Sequence, residues 1–537
     1  MRSRRYPCLF ALLAVAISLL AGCSRPETPQ PVPLKTLVVA IDSDEGLLTP
    51  YNWNTWVGAT FIGYIYGSLY ARTPQMAWVP DLATDHTVSD DGLTWTVNLR
   101  QDVTWHDGEP FTADDVVFTH QFNAVRAHRG GGASNLLSVE KTDEHQVVFR
   151  LLEPDPLFLE DVLEAPIVPQ RLWKDVDPKP ERLSTPIFVG TGPFKLVEEK
   201  PGEFYRLQRN DDYYGAKPAV EEILVRVISD RAAQAQALKT GEVHAILVSV
   251  PASLVPTLKN RPDIKLVSGS DFSNYNLYFN HDKAPFNDVR FRQAVARAID
   301  RQKLVKVVMQ GYATPLTPGY YHPALPWTRK DLKLEYNPAE ARKMLEEAGY
   351  KDADGNGVRE YDGQEMSFTL LAEAGNPVEM RSAELIQTML KDIGIRLEVR
   401  ALDANAITDR VWPGFAAKNG RDYDLCLFAW SARSQTQIRF ASYLLHGDFA
   451  NKGWANIGGV NVPEMNALLD RLDTALDQRS QYSTLSEIQA KFSELMPWVP
   501  LFSPTGNFAY RPAAYNGWIY AEGYGIHNRW SFSPPQR

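Results

Sequence analysis

Side chains able to do chemistry are plentiful along this 537-residue chain, yet few are spaced for catalysis. There is no Gly-x-Ser-x-Gly, and ten scattered histidines make no visible triad. No pair of histidines or cysteines has zinc spacing. Asp352-Ala-Asp354-Gly-Asn356-Gly357 copies the start of a calcium loop, with Glu360 at the ninth position. Gly363 stands at the twelfth, where a bidentate glutamate would complete the ligand set, so a polar hairpin turn is the better reading. Asp107 and the Asp114–Asp115 pair are explained as turn and cap groups, and Cys426 as an inert thiol within an apolar strand. These residue types argue for binding, with no enzyme activity, metal or cofactor implied.

The elements that must position such residues alternate between strand and helix. Leu37–Asp42 is an apolar strand, followed by a polar turn and the aromatic cluster Tyr51, Trp53, Trp56. Thr94–Leu99 alternates, Asp107-Gly108 is a turn, and Thr112 with Asp115 resembles a capping box opening a helix through Val116, Val117 and His120. Pro201-Gly202 turns a hairpin. Glu222–Ile228, Asp230–Thr240 and Val243–Val248 read as a β-α-β unit, with Asp230 as N-cap and Gly241 as stop. Asn337-Pro-Ala-Glu340 opens a later helix, and Tyr423–Trp430 is apolar enough to be buried on both faces. The fold class is α/β.

The ends and the charge bound the setting. Arg2, Arg4 and Arg5 precede an apolar run, Leu9–Ala21, that is too short to span a bilayer. Leu20-Ala21-Gly22-Cys23 resembles a lipobox, so residues 1–22 are expected to be a signal and Cys23 the lipidated N-terminus. Residues 23–35 then form the anchor and a proline-rich tether. Loss of 1–22 removes three arginines and no acid, moving the formal charge from −9 to −12, which argues against nucleic acid as a partner. Only Cys426 would remain as a thiol, so no internal disulfide can form. The remaining length, about 515 residues, is too much for one core and points to two or three domains.

One long pattern goes further. Pro80-Asp-Leu-Ala, then Asp90–Arg100, then Trp105-His-Asp-Gly-Glu-Pro-Phe-Thr-Ala-Asp-Asp-Val-Val-Phe118 closely resembles the signature of the family 5 extracellular solute-binding proteins. So do Gly190-Thr-Gly-Pro-Phe, Asn210–Tyr214, Gly241-Glu-Val-His-Ala and the region from Asn280 through Pro285–Asp300. The resemblance implies a type II periplasmic-binding-protein fold, two lobes around a ligand cleft with an extra inserted domain. It places domain I at 36–73, 190–280 and 505–537, domain II at 74–189, and domain III at 281–504. It implies a monomer in the cell envelope that captures a peptide or peptide-like solute and hands it to an ABC permease with its ATPase. Peptide-binding relatives carry Trp-x-x-Asp, whose aspartate pairs with the ligand's α-ammonium; here Trp430-Ser431-Ala432-Arg433 has arginine fourth, and a guanidinium there would repel an amine and attract a carboxylate or phosphate, favouring an anionic solute or metal chelate. The alternative, that Arg433 points to solvent, is equally open. By the same analogy Trp430, Ser431, Trp53, Asn54 and Trp56 are expected in the cleft, with Arg439 and Trp454 weaker candidates. A secreted hydrolase, or an envelope receptor without a transporter, are the readings from other classes.

Overall fold

The computed structural model describes residues 35–52, 56–125, 135–177, 186–451 and 455–533. The expected signal, Cys23, Trp53, Asn54 and Trp454 lie outside them. Thr36–Ile41 is a central strand with parallel neighbours on both sides, Glu222–Val227 and Ala245–Ile246. The helix joining those neighbours, Arg231–Thr240, begins where the Asp230 carboxylate accepts from Ala233 N at 2.6 Å. It ends at Gly241, whose φ of 86° is left-handed. The expected β-α-β unit therefore forms, with the strand from the chain's start inserted between its two strands. Phe194–Lys200 and Phe204–Arg209 extend this sheet as an antiparallel hairpin turned at Gly202.

The long strand Trp498–Tyr510 joins this sheet to a second. Its residues 505–510 pair with Lys265–Ser270, while residues 498–502 pair with Asn274–Phe279. Beyond Asn274–Phe279 lie Leu425–Trp430, Ser367–Glu373 and Arg396–Leu402. The chain thus passes between the sheets at residues 271–273 and again within 503–505. Asn274–Phe279, grouped by sequence with the first body, hydrogen-bonds into the second sheet, where Leu277 and Phe279 join its core. Leu425 and Leu427 pack into a core with helices Val289–Ala298 and Pro377–Lys391. Cys426 and Trp430 face the opposite core, with helices Pro463–Asp473 and Gln478–Leu495. Burial on both faces accounts for the unbroken apolar run.

A third body is the four-stranded antiparallel sheet Ala83–Val88, Thr94–Leu99, Gln146–Leu151, Leu136–Asp143, packed on helix Ala113–Val125. The Asp115 carboxylate organises its entry, accepting from Thr112 N at 3.1 Å, Trp105 Nε1 at 3.2 Å and Gln170 N at 2.9 Å. Asp107 is paired with Arg171. The neighbouring His106 ties this body to the first. Its backbone N donates to Gly190 O at 2.8 Å, Gly190 N donates to its Nδ1 at 3.2 Å, and its Nε2 meets Gly192 O at 3.0 Å. A Cβ at Gly190 would lie 1.9 Å from the Ile65 carbonyl oxygen, so only glycine admits this approach. Among the described residues no helix is long and apolar enough to cross a membrane.

Candidate functional site

A cavity of about 380 Å³ lies where all three bodies meet, bordered by helix Trp56–Ile65, the turn Leu159–Leu163, the segment after strand Leu425–Trp430, and the 521–530 loop. Arg433 borders it. A turn places it there: Ser434 N and Oγ donate to the Ser431 carbonyl at 3.1 and 2.9 Å, and the short helix Arg433–Thr436 follows. The Arg433 side chain is exposed and its Nε donates to Gln437 Oε1 at 2.6 Å. Glu160, Glu164, Arg72 and Tyr524 border the same cavity. The buried Tyr524 phenol feels them together. Burial, then the charge of Glu164, pushes its pKa up to about 12 with a smaller push from Glu160, while Arg72 and Arg433 pull it down. His120 is 3% exposed and borders the cavity with its Nε2 unpartnered among the described residues. Burial lowers its pKa to about 4, so it is a neutral ring at neutral pH. Arg529, also on the wall, is bound to Asp81 at 2.8 Å.

Two ties cross the cleft on either side of Gln437. Arg72, at the end of strand Tyr70–Arg72, donates through Nη2 to the Thr436 carbonyl at 3.0 Å. Arg439, the N-cap of Phe440–Leu445, donates through Nη2 to Asp155 Oδ1 at 2.5 Å. A second recess of about 290 Å³ adjoins the first, sharing Thr60 and Tyr524, and is bordered by Asp42, Arg231, Asp271, Tyr520 and His527.

The residues expected from sequence therefore separate. Arg433 reaches the cavity. Trp430 is 8% exposed and turned into the core, with Nε1 donating to Tyr278 Oη at 2.8 Å and its ring against Trp412 and Phe440. Ser431 is exposed and its carbonyl closes the turn. Arg439 faces Asp155 of the inserted body. Asp352, Asp354 and Glu360 do converge, with carboxylate oxygens within 4.8 Å, but these oxygens accept from the turn's own amides, Gly355 N, Gly357 N, Asn356 N and Ala353 N. Arg72, Tyr524, His120 and Asp271 were not anticipated. They come from four distant parts of the chain and share no motif or period; only the i, i+4 spacing of Glu160 and Glu164 was a visible signal.

Comparison with known proteins places this arrangement. The family model of bacterial extracellular solute-binding proteins, family 5 Middle, matches residues 77–452. The oligopeptide-binding protein AppA of Bacillus subtilis is 31% identical over 440 residues, 78% of this chain and 77% of its own. Its structure in complex with a nonapeptide has a TM-score of 0.76 at 26% identity, covering 95% of this chain and 100% of that one. The glutathione-binding protein GsiB of Salmonella typhimurium is 28% identical over 488 residues, 87% of this chain and 88% of its own. NikZ from Campylobacter jejuni in complex with Ni(L-His) matches with a TM-score of 0.73 at 25% identity, covering 89% of this chain and 94% of that one.

Proposed function

The chain belongs to the bacterial extracellular solute-binding proteins of family 5, and from that premise we propose that it captures a peptide or peptide-like solute and delivers it to the permease of an ABC importer. The observation that carries this reading is the cavity between the bodies, whose two central sheets are joined by chain crossings at 271–273 and 503–505. Two such crossings suit hinge closure, and capture is then a shift of the open–closed equilibrium toward the state in which Arg72 meets Thr436 and Arg439 meets Asp155. No covalent step is needed, and the chain acts as a binder. In this reading domain I is 36–73, 190–280 and 505–537, its edge segment Asn274–Phe279 pairing into the second sheet, and domain II is 74–189. Domain III is 281–504, and a lipid on Cys23 holds the protein at the envelope. Arg433, facing the cavity, takes the anionic end of the solute. The same residue supports the second reading, a carboxylate-rich solute or metal chelate.

Native mass spectrometry of protein purified without refolding, followed by a thermal-shift screen of peptides against dicarboxylates and metal chelates, tests both. Peptides should stabilise the protein, and Arg433→Gln should weaken those with a free carboxylate about tenfold while sparing their amides. Stabilisation by chelates alone would replace the first reading with the second.

A further inference from the structure

We propose that Asp271 is an ammonium subsite: the recess beside the main cavity receives the amine end of the solute whose anionic end faces Arg433. This rests on the reading of the chain as a binder of peptides or peptide-like solutes. The recess and the cavity share Thr60 and Tyr524, so one extended solute can occupy both. Asp271 stands on the crossing between the two sheets, directly after strand Lys265–Ser270. Among the described residues its side chain has one partner, Ser273, whose backbone N (3.0 Å) and Oγ both donate to Oδ1. No described arginine or lysine forms an ion pair with it. The other aspartate on the recess, Asp42, has Arg231 Nη2 at 2.7 Å, while Arg231 Nη1 has no hydrogen-bond partner among the described residues.

Burial of Asp271 disfavours its charge, and the two bonds from Ser273 only partly oppose this. A half-buried carboxylate lacking a cation is an arrangement that an incoming ammonium completes through charge-assisted hydrogen bonds. An independent feature of the same recess also points to a ligand. His527 is 3% exposed and its Nε2 has no hydrogen-bond partner among the described residues. Burial lowers its pKa to about 3, so the ring is neutral and adds no positive charge beside Asp271's recess. The position adds a mechanical consequence. A solute amine held at the crossing and a carboxylate held at Arg433 would tie the hinge itself to the segment after strand Leu425–Trp430, so that occupancy itself favours closure.

The test is isothermal titration calorimetry of the full chain with a panel of peptides of two to five residues, each free, N-acetylated and C-amidated. Wild type is compared with Asp271→Asn, an isosteric change, and Ser273→Ala, which keeps the carboxylate. N-acetylation should weaken wild-type binding about tenfold or more, and Asp271→Asn should lose the same factor for free-amine peptides while leaving acetylated ones unchanged. Ser273→Ala should retain the preference for a free amine. Equal affinity of wild type for free and acetylated peptides overturns the subsite, as does equal weakening of both by Asp271→Asn. If no peptide binds in any form, the peptide reading itself fails and the subsite falls with it, a result distinct from the other two.

Discussion

The segment Trp105–Asp115 and the crossing at 271–273 treat an aspartate carboxylate in opposite ways. Asp115 accepts from three donors, Trp105 Nε1, Thr112 N and Gln170 N, spread over both of its oxygens. Among the described residues Asp271 accepts only from Ser273, on one oxygen. Burial works to raise the pKa of both. The first carboxylate is consumed by the scaffold, pinning a motif, a helix start and a distant backbone amide to one another. The second borders a recess with bonding capacity left over. In a chain rich in acids, the residual capacity of a buried polar group distinguishes binding surface from framework better than its chemical type.

The largest expected effect would break that contrast at its scaffold end. Asp115→Ala leaves three donors without their acceptor and should cost roughly 3 kcal/mol or more in urea denaturation, with peptide affinity of the folded protein unchanged. A cost below about 1 kcal/mol would erase the distinction between the two segments.

Glu379, on the first turn of helix Pro377–Lys391, stands between the extremes, accepting from Glu373 N at 2.9 Å. Burial raises its pKa from 4.5 to about 7, the amide opposing the rise and the charge of Glu373 adding to it. The folded value lies above the unfolded one, so the native state holds the proton more tightly between those limits. Stability should fall as pH rises through that window, by roughly 3 kcal/mol in all. Glu379→Gln should remove this fall, so that denaturation at pH 8 favours the variant and denaturation at pH 4.5 does not separate the two proteins. A difference independent of pH would assign Glu379 to the fully compensated class with Asp115.

The smallest effect sharpens the comparison across the cleft. Asp155→Asn and Arg439→Gln should each weaken peptide binding about tenfold, with a double variant little worse than either. Neither should alter the preference for amine or carboxylate ends. Spin labels at the exposed positions Leu137→Cys and Leu476→Cys should report a wider separation of the bodies in these variants. Additive losses with an unchanged separation would remove the Asp155–Arg439 pair from closure.

Much of the framework was legible before folding. Asp230 and Gly241 bracket a helix because a cap and a left-handed stop act on amides and carbonyls within a few residues of themselves. The apolar run at 425–430 announces a doubly buried strand for the same local reason. Arg433 was legible as well, since its offset from that strand's end is short. The neighbouring Trp430 was misleading: an indole beside a cleft suggests stacking on a solute, yet the strand carries it to the inner face, where Tyr278 accepts its N–H. Arg439 could be read as a cation but not as a cross-cleft tie, because Asp155 is 284 residues away.

The sequence alone thus determined the α/β class, the capped helices, the family pattern and the anomalous arginine, all of which depend on neighbours within a few residues or on the run of residue types. Only the tertiary structure decided which buried polar groups are completed and which are left open. Asp115 receives Gln170 from 55 residues further along, whereas among the described residues Asp271 accepts only from Ser273, and His527, 256 residues away on the same recess, has its Nε2 unpartnered. That outcome depends on where distant segments come to rest, and no local period or spacing records it.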